Sequence, residues 1–174
     1  MRLASLALVI TLAGCGAPIQ TNERLGQDTG RELSTHVGGQ VMKIQRTSDL
    51  PNAFGKADIF GGKVNGGYTE LRYQGLATDG RVIFRVTEVE TESNETTMSR
   101  YGGSTSTMNA KRVGNNVYGT VTTYDAPRGN TERLPPNTTQ FAVDPNKTKD
   151  FTIAGVKVQI ISATDTSLAY QLFK

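Results

Sequence analysis

From Thr35 onward, apolar residues recur at alternate positions in short bursts. In Thr69–Gln74, Leu71 and Tyr73 fall on one face while Glu70, Arg72 and Gln74 fall on the other. That alternation predicts a half-buried antiparallel strand. Thr78-Asp79-Gly80 follows, and Asp-Gly readily takes the positive φ angles of a tight primed turn. The returning strand puts Val82, Phe84 and Val86 on one face. The phase then shifts, because Val89 is apolar while Glu88, Glu90 and Glu92 hold the former apolar parity. A one-residue phase change predicts a β-bulge near Val86–Val89. Further strands are predicted over Val37–Arg46, Asn116–Tyr124, Thr139–Val143, Phe151–Ser162 and Ser167–Phe173. The last two form a C-terminal hairpin across Ala163–Thr166, with Gly155 marking a bulge or bend. No helical stripe runs through this part of the chain. The prediction is an all-β fold, a small antiparallel β-barrel or β-sandwich of about 7–8 strands.

The beginning of the chain has a different pattern. Residues 1–15 read MRLASLALVITLAGC: Arg2 supplies a positive start, Leu6 to Leu12 is apolar apart from Thr11, and Ala13 and Gly14 are small. This is the layout of a signal peptide, and its apolar run falls well short of the about 20 residues that span a bilayer. The ending Leu12-Ala13-Gly14-Cys15 resembles the lipobox of bacterial lipoproteins. The resemblance covers residues 1–15 alone. It implies acylation of Cys15, removal of the residues before it and anchoring of the chain to a membrane through its N-terminal lipid. Gly16, in place of the Asp that marks inner-membrane retention in this family, implies the outer membrane, with the protein facing the periplasm. Residues 16–33 are polar and show no strand period, and they read as a flexible tether, with a short helix over Thr21–Leu25 as an alternative. The organisation is therefore a signal peptide over 1–14, a lipidated Cys and tether over 15–34, and a single β domain over 35–174.

Composition narrows the function. The 174 residues carry 19 Lys+Arg and 16 Asp+Glu, a net charge of +3, which becomes +2 once Arg2 is removed with the signal peptide. That balance provides no basic stripe for nucleic acid. A single Cys rules out disulfides within the chain and Cys-rich zinc sites, and a single His leaves little for acid–base chemistry at neutral pH. A Ser–His–acid triad would have to use His36, and no Gly-x-Ser-x-Gly elbow accompanies it. Glu88, Glu90 and Glu92 read as a solvated acidic face. No catalytic, cofactor or metal-binding set is read, and the chain is expected not to be an enzyme.

Two long connections, 47–67 and 93–110, interrupt the strands, and loops of this length are often functional. The first contains an echo, Phe54-Gly55-Lys56 and Phe60-Gly61-Gly62-Lys63. It lacks the spacing of a phosphate-binding loop, although a Gly-rich loop with two lysines can hold an anion through its backbone amides. The plainer expectation is a solvated loop whose Phe54 and Phe60 are pinned to the core. The candidate interaction residues are Phe54, Lys56, Phe60, Lys63, Met98, Arg100 and Tyr101. The expected role is an accessory or structural subunit that binds another envelope protein. The alternatives are a barrel-type carrier of an apolar ligand and a surface-displayed protein that engages a phage or host.

Overall fold

The computed structural model describes residues 16–103, 105–113, 116–124 and 129–174, so the signal-peptide region and Cys15 lie outside the described residues. In chain order the strands are β1 (Thr21–Leu25), β2 (Glu32–His36), β3 (Gln40–Asp49), β4 (Lys63–Leu76), β5 (Val82–Ser93) and, after one short helix α1 (Thr97–Tyr101), β6 (Thr105–Val113). They continue with β7 (Asn116–Tyr124), β8 (Thr131–Arg133), β9 (Asn137–Val143), β10 (Asp150–Ile153), β11 (Val156–Ala163) and β12 (Ser167–Phe173). The all-β expectation holds, with twelve strands among the described residues rather than seven or eight.

The strands form two antiparallel sheets and a separate ribbon. The first sheet runs β1-β3-β4-β5, with β8 and β9 both pairing β5; the second runs β10-β11-β12-β2. Among the described residues β6 and β7 pair only with each other. Alternation explains how the sheets face one another. Met42, Ile44, Leu71, Tyr73, Val82 and Phe84 from the first sheet meet Val156, Val158, Ile160, Leu168, Tyr170 and Leu172 from the second in one buried cluster. Phe84 lies at its centre, with ring centroids of Tyr73, Phe141 and Phe151 at 6.1, 5.7 and 4.9 Å. Aromatic packing of this kind adds to the free energy of area burial.

Two tyrosines link the sheets in opposite directions. The Tyr170 hydroxyl, on β12, donates to the carbonyl of Val41 on β3 at 2.7 Å. The Tyr73 hydroxyl, on β4, donates to the carbonyl of Thr164 in the β11–β12 turn. Each phenol is apolar for most of its length and polar at the tip, so it crosses the core and satisfies a carbonyl on the far side.

The structure corrects several local expectations. The region read as a tether contains β1, which pairs residue by residue with β3 from Thr21↔Ser48 to Leu25↔Ile44. Its side chains are almost all exposed, so backbone hydrogen bonds to the edge of β3 hold it, and no apolar alternation marks it. The predicted strand Phe151–Ser162 is two strands, β10 and β11, joined at Ala154-Gly155, where both residues have positive φ. At the β4–β5 hairpin Gly80 alone has positive φ, so the turn is not of the fully primed kind. No register shift occurs at Val86–Val89; the irregularity lies on β4, between Tyr73 and Gly75. Val89 is buried on the opposite face, paired with Tyr68, whose ring carries Lys43 Nζ at 4.2 Å and the Arg133 guanidinium at 5.3 Å. Apolar residues therefore occupy both faces of β5, and this mimics a phase change.

Candidate functional site

The β3–β4 connection is built from one turn used twice. In Asn52-Ala53-Phe54-Gly55-Lys56 the Asn52 Oδ1 accepts from the amides of Phe54 (2.9 Å) and Lys56 (3.0 Å). In Asp58-Ile59-Phe60-Gly61-Gly62 the Asp58 carboxylate accepts from the amides of Phe60 (3.2 Å) and Gly62 (2.9 Å). The amides of Gly55 and Gly61 close each turn on the carbonyls of Asn52 and Asp58, and both glycines have positive φ, a conformation costly for other residues. The echo in the sequence is therefore an echo in geometry. The polar residue turns inward and the apolar ones turn outward: Asp58 is buried, whereas Phe54, Ile59 and Phe60 are 88%, 82% and 79% exposed. This reverses the expectation that both phenylalanines are pinned to the core. It also fills the proposed anion cradle, since the amides at Phe60 and Gly62 are taken by the loop's own carboxylate.

The second long connection meets the first. Thr96 caps α1, accepting from the Ser99 amide, while the Ser99 hydroxyl accepts from the Thr96 amide. The Thr97 amide donates to the Pro51 carbonyl at 2.8 Å, and Arg100 Nη1 donates to the Lys63 carbonyl at 2.8 Å. Arg100 also grips Glu95 through Nε at 2.9 Å. The bonds from Arg100 and Thr131 hold the Glu95 carboxyl below its usual range. Lys63 pairs with Asp49, which lowers the Asp49 carboxyl in the same way. Arg100 thus braces the two connections, Lys63 ties the end of β3 to the start of β4, and Lys56 remains an exposed cation. Met98 and Tyr101 on α1 are 63% and 60% exposed. The structure therefore gathers all seven candidate residues at one end of the first sheet.

The start of the described chain reaches the same end. The Ala17 carbonyl accepts from the Ala57 amide at 2.9 Å, and Gln20 exchanges bonds with Asp49 through its carbonyl and its amide. A Cβ built on Gly16 would lie 2.8 Å from Lys56 Cβ, so the backbone there rests directly on the Lys56 side chain.

The β6–β7 ribbon leaves from this end too, between α1 and β8. At nine residues per strand and about 3.3 Å per residue it is roughly 30 Å long. Met108 and Val121 sit opposite one another on one face, and Tyr124 stands on the other; all three are more than half exposed.

The remaining candidates stay apart. His36 is an exposed residue on β2, opposite Ser167. Glu88, Glu90 and Glu92 are exposed, and Glu92 faces Glu132 across the β5–β8 ladder, a like-charge pair. An open cleft of about 310 Å³ between the two sheets is lined by Val86, Glu88, Thr139, Phe141 and Ile153. Sequence reasoning passed over Asn52, Asp58 and Ile59. The signal that finds the first two is an Asn or Asp two residues before each Phe and three before a Gly. No protein-family model, curated protein or solved structure matches this chain.

Proposed function

We propose that this chain is a lipid-anchored, non-enzymatic protein of the bacterial cell envelope, held through Cys15 at the outer membrane and facing the periplasm. It acts as an accessory subunit that binds another envelope protein. The observation that carries the binding role is the β6–β7 ribbon. A lone two-stranded ribbon is at best marginally stable in water, and among the described residues no further strand pairs with its outer edges. Strand addition by a partner pairs those edges, and Met108 and Val121 offer an apolar stripe beside them. A carrier needs an enclosed lumen, whereas Tyr73, Phe84, Met42 and Leu71 pack the centre of the space between the sheets and the cleft at Val86 and Phe141 is open.

Crosslinking in intact cells tests this reading. Wild type, a variant with residues 104–128 replaced by a short Gly-Ser link, and Cys15→Ala are recovered and compared by quantitative mass spectrometry. One envelope protein should be enriched with wild type, lost with the ribbon deletion and reduced with Cys15→Ala. Equal recovery with and without the ribbon refutes its role.

A further inference from the structure

We infer that the twin-turn loop of Phe54, Ile59 and Phe60 seats in the lipid surface beside the anchor, so that the domain lies against the bilayer instead of swinging from it. This rests on the lipid-anchor reading above and adds to it a second contact with the membrane.

Three observations carry it. The first is the exposure of three large apolar side chains within seven residues, each nearly complete, on turns that internal hydrogen bonds hold in shape. Clustered exposure of this kind marks a contact surface, whereas single exposed apolar residues need no explanation. The second is where the described chain begins. Gly16 packs on Lys56, inside the first of the two turns. Cys15 is the next residue in the sequence, so acyl chains carried on it are tethered one peptide unit, about 3.8 Å between Cα atoms, from Gly16. The leaflet holding the acyl chains is thereby brought to the loop itself, and a protein partner would have to displace it. The third is the chemistry around the loop. Lys56 stands between the two phenylalanines and can lay its stem along apolar surface while its ammonium reaches lipid phosphates. Tyr101 and Met98 flank the site on α1, and tyrosine favours the membrane–water boundary.

The chain contains no Trp, so one substitution creates a unique emitter. Phe60→Trp is introduced at the loop and Thr78→Trp at the β4–β5 hairpin, at the other end of the same strands. The full-length, processed proteins are placed in vesicles of phosphatidylethanolamine and phosphatidylglycerol with brominated acyl chains, and the mass of the N-terminal peptide is read in parallel. The expected result is acylated Cys15, blue-shifted Phe60→Trp emission and quenching by bromine several-fold stronger than for Thr78→Trp. Acylated Cys15 with equal, weak quenching at both positions overturns the loop insertion and leaves the anchor standing. A blue shift without bromine quenching means that protein covers the loop, and it also overturns the inference. A free Cys15 thiol overturns the anchor reading, and this inference falls with it.

Discussion

Replacing Tyr170 by Phe removes a single oxygen from the space between the sheets and leaves the ring in place. Tyr170 is 2% exposed, and its hydroxyl donates to the Val41 carbonyl at 2.7 Å. Val41 is fully buried, lies beyond the last β1 pair at Ile44, and sits within the register shift between Gln40 and Met42. The regular ladder is interrupted there, and the tyrosine brings the carbonyl a donor. Its loss forfeits the bond and strands a desolvated acceptor, which costs about 1–3 kcal/mol. Taking about 2 kcal/mol, the melting midpoint should fall by roughly 4–8 °C in a chain of this size. The variant should also respond differently to alkali. Burial raises the Tyr170 phenol above its ordinary 10.0. Between that value and the folded pKa the folded state keeps a proton that the unfolded chain releases, so stability falls as pH rises above 10. Tyr73 contributes in the same sense, also through burial. Urea unfolding of wild type and Tyr170→Phe, measured at neutral pH and again above pH 10, separates the two effects. The variant should have a lower midpoint with an unchanged m value and a shallower alkaline decline. An unchanged midpoint with the same alkaline slope would refute the claim that this contact fastens the sheets together.

Other perturbations test other parts of the molecule. Asp58→Ala removes the acceptor for the Phe60 and Gly62 amides, at a local cost of about 1–3 kcal/mol. Hydrogen exchange at those two amides should accelerate while core amides such as Leu172 keep their protection. Glu95 has a lowered pKa, so the support it gives through Arg100 is full above its ordinary 4.5 and is lost as pH falls through the folded value. An NMR titration of the Arg100 Nε proton should show that loss, and Glu95→Gln should abolish the pH dependence. Phe84→Ala empties the centre of the aromatic cluster and should cost about 3–5 kcal/mol by urea unfolding.

The parts of the fold written as burial were legible in the sequence. Leu71 and Tyr73 opposite Phe84 and Val86, and the C-terminal hairpin, follow from alternation because their faces enter the core. The parts written as backbone pairing were not. Thr21–Leu25 forms a strand with nearly every side chain in solvent, so composition suggests a tether where hydrogen bonds make an edge. Ala154 hides the β10–β11 turn because alanine rarely accepts positive φ. At the loop end, the repeated Phe-Gly was visible, but the direction of its side chains was not. Hydrophobicity alone sends phenylalanine inward. The deciding fact is that Asn52 and Asp58 spend their acceptors on the loop's own amides and occupy the inner side of each turn.

The stitching of the N-terminal segment also decides how the molecule responds to mechanical load. Tension entering from the residues before Gly16 meets the Ala17–Ala57 bond, then the Gln20–Asp49 pair, and only then β1. Pulled along the strand axis, the bonds from Thr21↔Ser48 to Leu25↔Ile44 share the force in shear and must yield together. Pulled away from the sheet, they open one after another from Thr21, each at a lower force. Rupture under load is governed by a rate and not by equilibrium stability. The same strand is thus a clasp against traction along the sheet and a zip against peeling.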